Sequence, residues 1–174
     1  MSGAKDAKLS KRKDIHTLSL LVANKPGVLV RIALVFARRA FNIDSLVVSP
    51  TVDPRFSRMT ITAQGNPDTL DQIIKQASKL IDVLHAGEHK PEESIEKELA
   101  LFKIRYKSSM KHEIDTLMHQ FHAHAVDISN GSLIIEQTAA TDEVDQFESQ
   151  LKKFGIIEMV RTGKVVMAKG QEST

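Results

Sequence analysis

Two groups of residues in this chain have types and spacings that can do chemistry. The first is Asn24-Lys25-Pro26-Gly27-Val28-Leu29, where an alternating apolar run gives way to a helical one. Pro26 fixes φ where a helix begins, and Gly27 lets another backbone or a ligand come close. A helix N-terminus carries free N–H groups and partial positive charge, so such a turn can hold a carboxylate. Asn24, just before it, both donates and accepts. The same residues also fit a plain helix entry, with Asn24 as N-cap and Gly27 as turn residue. The second group is His112, His119, His122 and His124. His119 and His122 are three apart, so both fit one helix face. That spacing can hold a metal, with Glu113 or Asp115 assisting. A polar face opposite Ile114, Leu117 and Phe121 explains these histidines without an ion, and no His-Glu-x-x-His pattern accompanies them. No metal is assigned; His119 and His122 stand as the candidates.

Other chemistries find no footing. Cysteine is absent, so there is no disulfide frame, thiol nucleophile or Cys-based metal site. Neither a Gly-rich phosphate loop nor a Gly-x-Ser-x-Gly elbow occurs, and no serine or aspartate is spaced to pair with a base. The formal charge is +2 over 174 residues, which gives no strong push toward nucleic acid or a membrane surface. No apolar run approaches the roughly 20 residues that cross a bilayer as a helix. Residues 1–14 are polar and Lys-rich, including Lys11-Arg12-Lys13. They lack the apolar centre of a secretory signal and read as a solvated tail. The expected location is the cytoplasm of a microbe.

The elements that must position the first turn follow from periodicity. Leu18, Leu20 and Val22 alternate in a strand over residues 16–23. Leu29, Ile32, Ala33, Phe36 and Ala40 recur at helical spacing over residues 27–40. Residues 42–51 form a second strand, residues 52–55 a turn and residues 56–64 a third strand, with Met59, Ile61 and Ala63 on one face. Asn66 caps a second helix with Pro67 at its first position, and Leu70, Ile73, Ile74 and Ala77 form its buried stripe. A fourth strand over residues 80–85 completes β-α-β-β-α-β, the ferredoxin-like order. Residues 86–94 carry Gly87, Pro91 and several charges and read as a linker.

The order then repeats. A strand begins near Lys97, Ser109 caps a helix carrying Ile114, Leu117, Met118 and Phe121, and Asn130-Gly131 turns a hairpin. Thr141 caps a helix carrying Val144, Phe147, Leu151 and Phe154, and Gly155 ends it. Residues 156–160 and 164–168 close the set as one bulged strand or as a hairpin around Gly163. The expected class is α+β: two tandem ferredoxin-like domains. The expected division is a tail at 1–15, a first domain at 16–86, a linker at 87–95, a second domain at 96–169 and a tail at 170–174.

An Asn-x-x-Gly-Val-Leu turn after a strand resembles the opening of an ACT domain, a module that binds small effectors. Asn42-Ile43-Asp44-Ser45-Leu46-Val47-Val48-Ser49-Pro50-Thr51, then Asp53, then Ser57-Arg58-Met59-Thr60-Ile61, is similar to the regulatory (small) subunit of acetohydroxyacid synthase, also called acetolactate synthase. The likeness is strongest over residues 18–84. The family usually has glycine where Ala40 stands, so the first helix is expected to end one residue later or Ala40 to sit in an ordinary conformation.

The resemblance implies a non-catalytic subunit in branched-chain amino-acid biosynthesis. Such a subunit activates the large catalytic subunit and confers feedback inhibition by valine. Thiamine diphosphate, FAD and magnesium are then expected on the large subunit, with no cofactor here. It also implies homodimers joined through the ACT domains, with the effector at the seam. The effector-binding residues carried over are Asn24, Pro26, Gly27, Val28 and Leu29, with Asn42 and Ile43 from the other chain. Two alternatives remain at this stage: a free-standing ACT-type amino-acid sensor of another pathway, and a small enzyme on a ferredoxin-like scaffold. Neither a nucleic-acid nor a membrane partner is expected. The Asp53-Pro54-Arg55-Phe56-Ser57-Arg58 run reads as a surface knuckle or part of a partner contact.

Overall fold

The computed structural model describes residues 15–171 and Thr174. The Lys-rich stretch at 1–14, and residues 172–173 of the expected C-terminal tail, lie outside the described residues. Contacts divide the chain into two units, one formed by Met1–Ile95 with Lys164–Thr174 and the other by Glu96–Gly163.

The first unit contains β1 (Ile15–Ala23), α1 (Val28–Ala37), β2 (Asn42–Pro50), β3 (Phe56–Gln64), α2 (Pro67–Ala77) and β4 (Val83–His89). The sheet order is β2-β3-β1-β4, antiparallel throughout. Register sets Leu18 against Ile61 and Leu20 against Met59. One face of the sheet therefore presents a continuous apolar layer to both helices. That layer meets Ile32 and Phe36 of α1 and Leu70, Ile73 and Ala77 of α2, all essentially excluded from solvent. Asn66 caps α2 as expected, its side chain accepting from the Asp68 N–H at 2.8 Å, and Pro67 is the first helical residue.

Three expectations for this unit need correction. The buried stripe of α1 is Val28, Ile32, Val35 and Phe36, whereas Leu29 is 43% exposed and Ala33 only half-buried. Val-Leu-Val-Arg-Ile-Ala-Leu-Val-Phe-Ala is apolar around most of its circumference, so periodicity alone does not fix its rotation. The fourth strand runs to His89 rather than stopping at 85, which absorbs the start of the expected linker. There, backbone pairing sets Gly87, Glu88 and His89 opposite Ser19, Leu18 and Thr17. His16 Nδ1 also meets Glu88 at 2.6 Å, so polar residues hold this edge without an apolar pattern.

The third correction concerns Ala40. The helix ends at Ala37, and Ala40 takes a left-handed φ of 52°. The Phe41 N–H reaches back to the Phe36 carbonyl at 3.1 Å, the closing bond of a Schellman ending. Neither expected alternative holds: the chain makes the glycine-type ending with alanine. A left-handed L-residue costs about 1–2 kcal/mol, and glycine's extra unfolded-chain entropy returns about 0.4–1 kcal/mol of that. Ala40→Gly should therefore stabilise the fold by about 0.5–1 kcal/mol. Urea unfolding of the variant measures it, and a lower midpoint would contradict it.

The second unit begins within β5 (Ser94–Arg105) and continues through α3 (Lys111–Gln120), β6 (His124–Ser129), β7 (Ser132–Ala139), α4 (Thr141–Leu151) and β8 (Ile156–Arg161). The order β6-β7-β5-β8 reproduces that of the first sheet. Phe102 of β5 meets Phe147 of α4 edge to face at 5.4 Å, within a core shared with Ile114, Leu133, Ile135 and Leu151. Asn130 and Gly131 both take positive φ, 50° and 74°, as a two-residue primed hairpin turn requires. β5 starts three residues before Lys97. Ser109 lies in a 3-10 turn, and Met110 holds the N-cap of α3 with no side-chain bond. Ala140, not Thr141, precedes α4; its N–H donates to Glu143 at 3.2 Å.

β9 (Val165–Ala168) pairs with β5 rather than with β8, so the expected bulged strand or hairpin around Gly163 is absent. Contacts group residues 164–174 with the first unit, where the Lys169 N–H donates to the Glu93 carbonyl at 2.9 Å. The expected division had placed residues 164–169 in the second domain.

Candidate functional site

The turn between β1 and α1 is braced from both sides. The Asn24 N–H donates to the Arg55 carbonyl at 2.8 Å, and its side-chain amide donates to the Pro54 carbonyl at 2.9 Å. Both acceptors lie in the loop joining β2 to β3. On the other side, the Ala23 N–H donates to the Asp82 carbonyl at 2.8 Å, and the Asp82 carboxylate holds Arg31 of α1 at 2.5 Å. Asn24 thus spends its amide on tying two loops together and is not the N-cap. That position belongs to Gly27, at φ 83° and ψ −10°, and no side chain caps the helix.

The start of α1 is therefore an exposed donor site. No acidic residue lies in its first turn, so its partial positive charge is not complemented there from within the helix. The Val28 N–H has only a long contact, 3.5 Å, to the Lys25 carbonyl. Val28 itself is 2% exposed, so it anchors the turn in the core. Asn24, Lys25, Pro26, Gly27 and Leu29 are exposed. The amides of Leu29 and Val30, in the first turn, have no intrahelical acceptor.

Of the expected residues, the structure brings Asn24, Pro26, Gly27, Val28 and Leu29 together at one end of the sheet. Asn42 and Ile43 lie elsewhere. Asn42 opens β2 opposite Gln64, and Gln64 also faces Ile15, the first residue of β1. Asn24 follows the last residue of that nine-residue strand, so the two asparagines are separated by about 30 Å along the strands. Asn42 donates to the Asp44 carboxylate at 2.9 Å, and Ile43 packs half-buried against the core. Between the two ends runs β2, an edge strand. α1 exposes Leu29, Val30 and Leu34 at 43%, 60% and 47%, an apolar face left uncovered by its own unit.

Sequence reasoning missed the bracing contacts. Arg31 and Asp82 are 51 residues apart, and nothing local marks them as partners. Within the expected surface knuckle, Arg55 bonds the Asp53 carboxylate through its backbone N–H and its guanidinium at 2.6–3.0 Å. Those bonds hold the Asp53 carboxyl below its ordinary pKa. Arg58, on the following strand, donates to the Ser19 hydroxyl at 3.3 Å, and its partial burial lowers its guanidinium pKa.

The histidine geometry is corrected. α3 ends at Gln120, and His122 lies beyond it at a left-handed φ of 50°. There the Ala123 N–H reaches back to the Met118 carbonyl at 2.8 Å. His119 and His122 therefore do not share a helix face. They line an open surface pocket with Asp115 and His124. Among the described residues, no group of three or more ligating side chains is placed to hold a metal, and no helix is long and apolar enough to cross a membrane.

Comparison with known proteins adds to this geometry. Residues 18–85 match the family described as the AHAS small subunit-like ACT domain, and residues 97–170 match the family described as the small subunit of acetolactate synthase. The acetolactate synthase small subunit of Haemophilus influenzae is 41% identical over 157 residues, spanning 90% of this chain and 96% of the relative. That of Mycolicibacterium smegmatis is 40% identical over 155 residues, spanning 89% and 91%. The crystal structure of the Thermotoga maritima acetolactate synthase small subunit superposes with a TM-score of 0.82 at 39% identity, covering 91% of this chain and 99% of that one.

Proposed function

We propose that this chain, which belongs to the acetolactate synthase small-subunit family, activates a large catalytic subunit and makes it sensitive to valine. The observation that carries this reading is the uncapped, exposed N-terminus of α1 at Gly27, beside an apolar helix face and an open strand edge. A free amino acid has the matching parts: a carboxylate for the amides, and an aliphatic side chain for the apolar face.

In this reading two chains pair through α1 and β2, the elements with uncovered surface. Pairing would bring Asn24, Pro26, Gly27, Val28 and Leu29 of one chain toward Asn42 and Ile43 of the other. The distance separating these groups within a single chain is a reason to assign the site to two. Valine bridging two chains stabilises the dimer geometry it fits, and that difference in binding is what can bias a coupled enzyme. The bracing bonds from Asn24 to residues 54–55, and from Ala23 and Arg31 to Asp82, would transmit the change to neighbouring loops. Thiamine diphosphate, FAD and magnesium would belong to the large subunit, and catalysis with them. The cytoplasm is the expected compartment.

Light scattering of the full chain at micromolar concentration should give a dimer, and calorimetric titration with valine should show saturable binding at no more than one molecule per Gly27 turn. A monomer, or heat no greater than dilution, would remove the effector site from this account.

A further inference from the structure

We infer that the open pocket lined by Arg38 and Arg39 at the end of α1, and by Thr69 and Gln76 of α2, binds a tetrahedral oxyanion of the phosphate class. It lies about 16 Å along α1 from Gly27 and is independent of the effector reading.

Among the described residues, neither Arg38 nor Arg39 forms an ion pair or a side-chain hydrogen bond. Arg31, Arg55 and Arg161, by contrast, each hold a carboxylate. The Nε of Arg39 is also buried with no hydrogen-bond partner. A buried donor left unmade is costly, and a charged one more so. Attraction to the negative end of α1 is the simplest other reason for two cations here. Three of the carbonyls at that end already accept main-chain bonds, however. Leu34, Phe36 and Ala37 accept from the backbone N–H groups of Arg38, Arg39 and Ala40, respectively. The nearby acids are not partners either: Asp71 is held by Lys75, and Asp68 forms no ion pair with either arginine among the described residues.

The lining chemistry selects the ligand. Two guanidinium forks supply several N–H donors in fixed planes, and the Thr69 hydroxyl and Gln76 amide add uncharged donors. That set outnumbers the two oxygens of a monocarboxylate. It matches a phosphate, whose oxygens accept in several directions with up to two negative charges.

The test is thermal unfolding of the full-length protein with inorganic phosphate or glycerol phosphate, at ionic strength held constant with sodium chloride. Both anions should raise the midpoint saturably, because a ligand binding only the folded state stabilises it by mass action. Tighter binding of the monoester would identify an esterified phosphate as the natural group, and equal binding the free anion. Arg39→Gln should weaken the apparent affinity about tenfold or more, with Arg39→Lys intermediate. Arg38→Gln, at an exposed position that leaves the fold intact, should weaken it comparably. A phosphate response unchanged in both glutamine variants, or one reproduced by chloride, would overturn the site.

Discussion

Replacing Gly27 by aspartate should abolish valine inhibition of the reconstituted enzyme while leaving its activation intact. The new carboxylate would sit where the proposed effector's carboxylate meets the start of α1. At about 4 Å, two like charges repel by about 4 kcal/mol at an effective dielectric of 20, which weakens binding about a thousandfold. Folding should survive. Gly27 has a left-handed φ of 83°, which costs an L-residue about 1–2 kcal/mol, but aspartate and asparagine tolerate it best. An added Cβ meets only Arg31 Nη1, at 3.5 Å, and a carboxylate at an N-cap favours the helix. Gly27→Asn carries the same backbone strain without the charge and should keep more valine sensitivity. If Gly27 served backbone geometry alone, both variants would lose activation and inhibition together. Full valine sensitivity in a folded Gly27→Asp protein would refute the assigned site.

Arg161→Met should destabilise the second unit by about 3–5 kcal/mol near neutral pH. The Arg161 guanidinium bonds both the Glu98 carboxylate and, at 2.7 Å, that of Asp145. The Glu98 side chain is 4% exposed. Burial pulls the Arg161 pKa down, but these two carboxylates more than offset it, and the net shift is upward. Without the arginine, Glu98 would be a buried charge lacking its cation, which is strongly destabilising. Denaturant unfolding of the variant near neutral pH measures the loss. Glu98→Gln added to Arg161→Met should recover much of the loss, and no recovery would show that packing, not charge, sets the effect.

The fold was legible wherever one face of an element is apolar and the other is not. β3 has the expected bounds, with Met59, Ile61 and Ala63 on the core face, because apolar and polar residues alternate along it, although Thr60 and Thr62 of the other face are buried as well. The Asn66-Pro67 entry of α2 and the Asn130-Gly131 turn were readable because each residue type there has a specific local role. The rotation of α1 was not readable, since most of its positions are apolar. The reach of β4 was hidden because backbone hydrogen bonds and the His16–Glu88 pair hold polar residues in a strand. The ending at Ala40 and the His122 turn were missed for a shared reason: left-handed residues without glycine leave no compositional mark. For the candidate site, the turn itself was visible in residues 24–29. Its braces, joining Asn24 to Pro54 and Arg31 to Asp82, depend on pairings distant in sequence.

The most direct test of the regulatory account is acetolactate formation by a matching large subunit, measured alone, with this chain, and with this chain plus valine. The account predicts low activity for the large subunit alone, a marked rise on adding the chain, and loss of that rise with saturating valine. It also predicts no product from the chain incubated by itself with pyruvate and thiamine diphosphate. Activity that neither rises with the chain nor responds to valine in its presence would contradict the account, as would turnover by the chain alone.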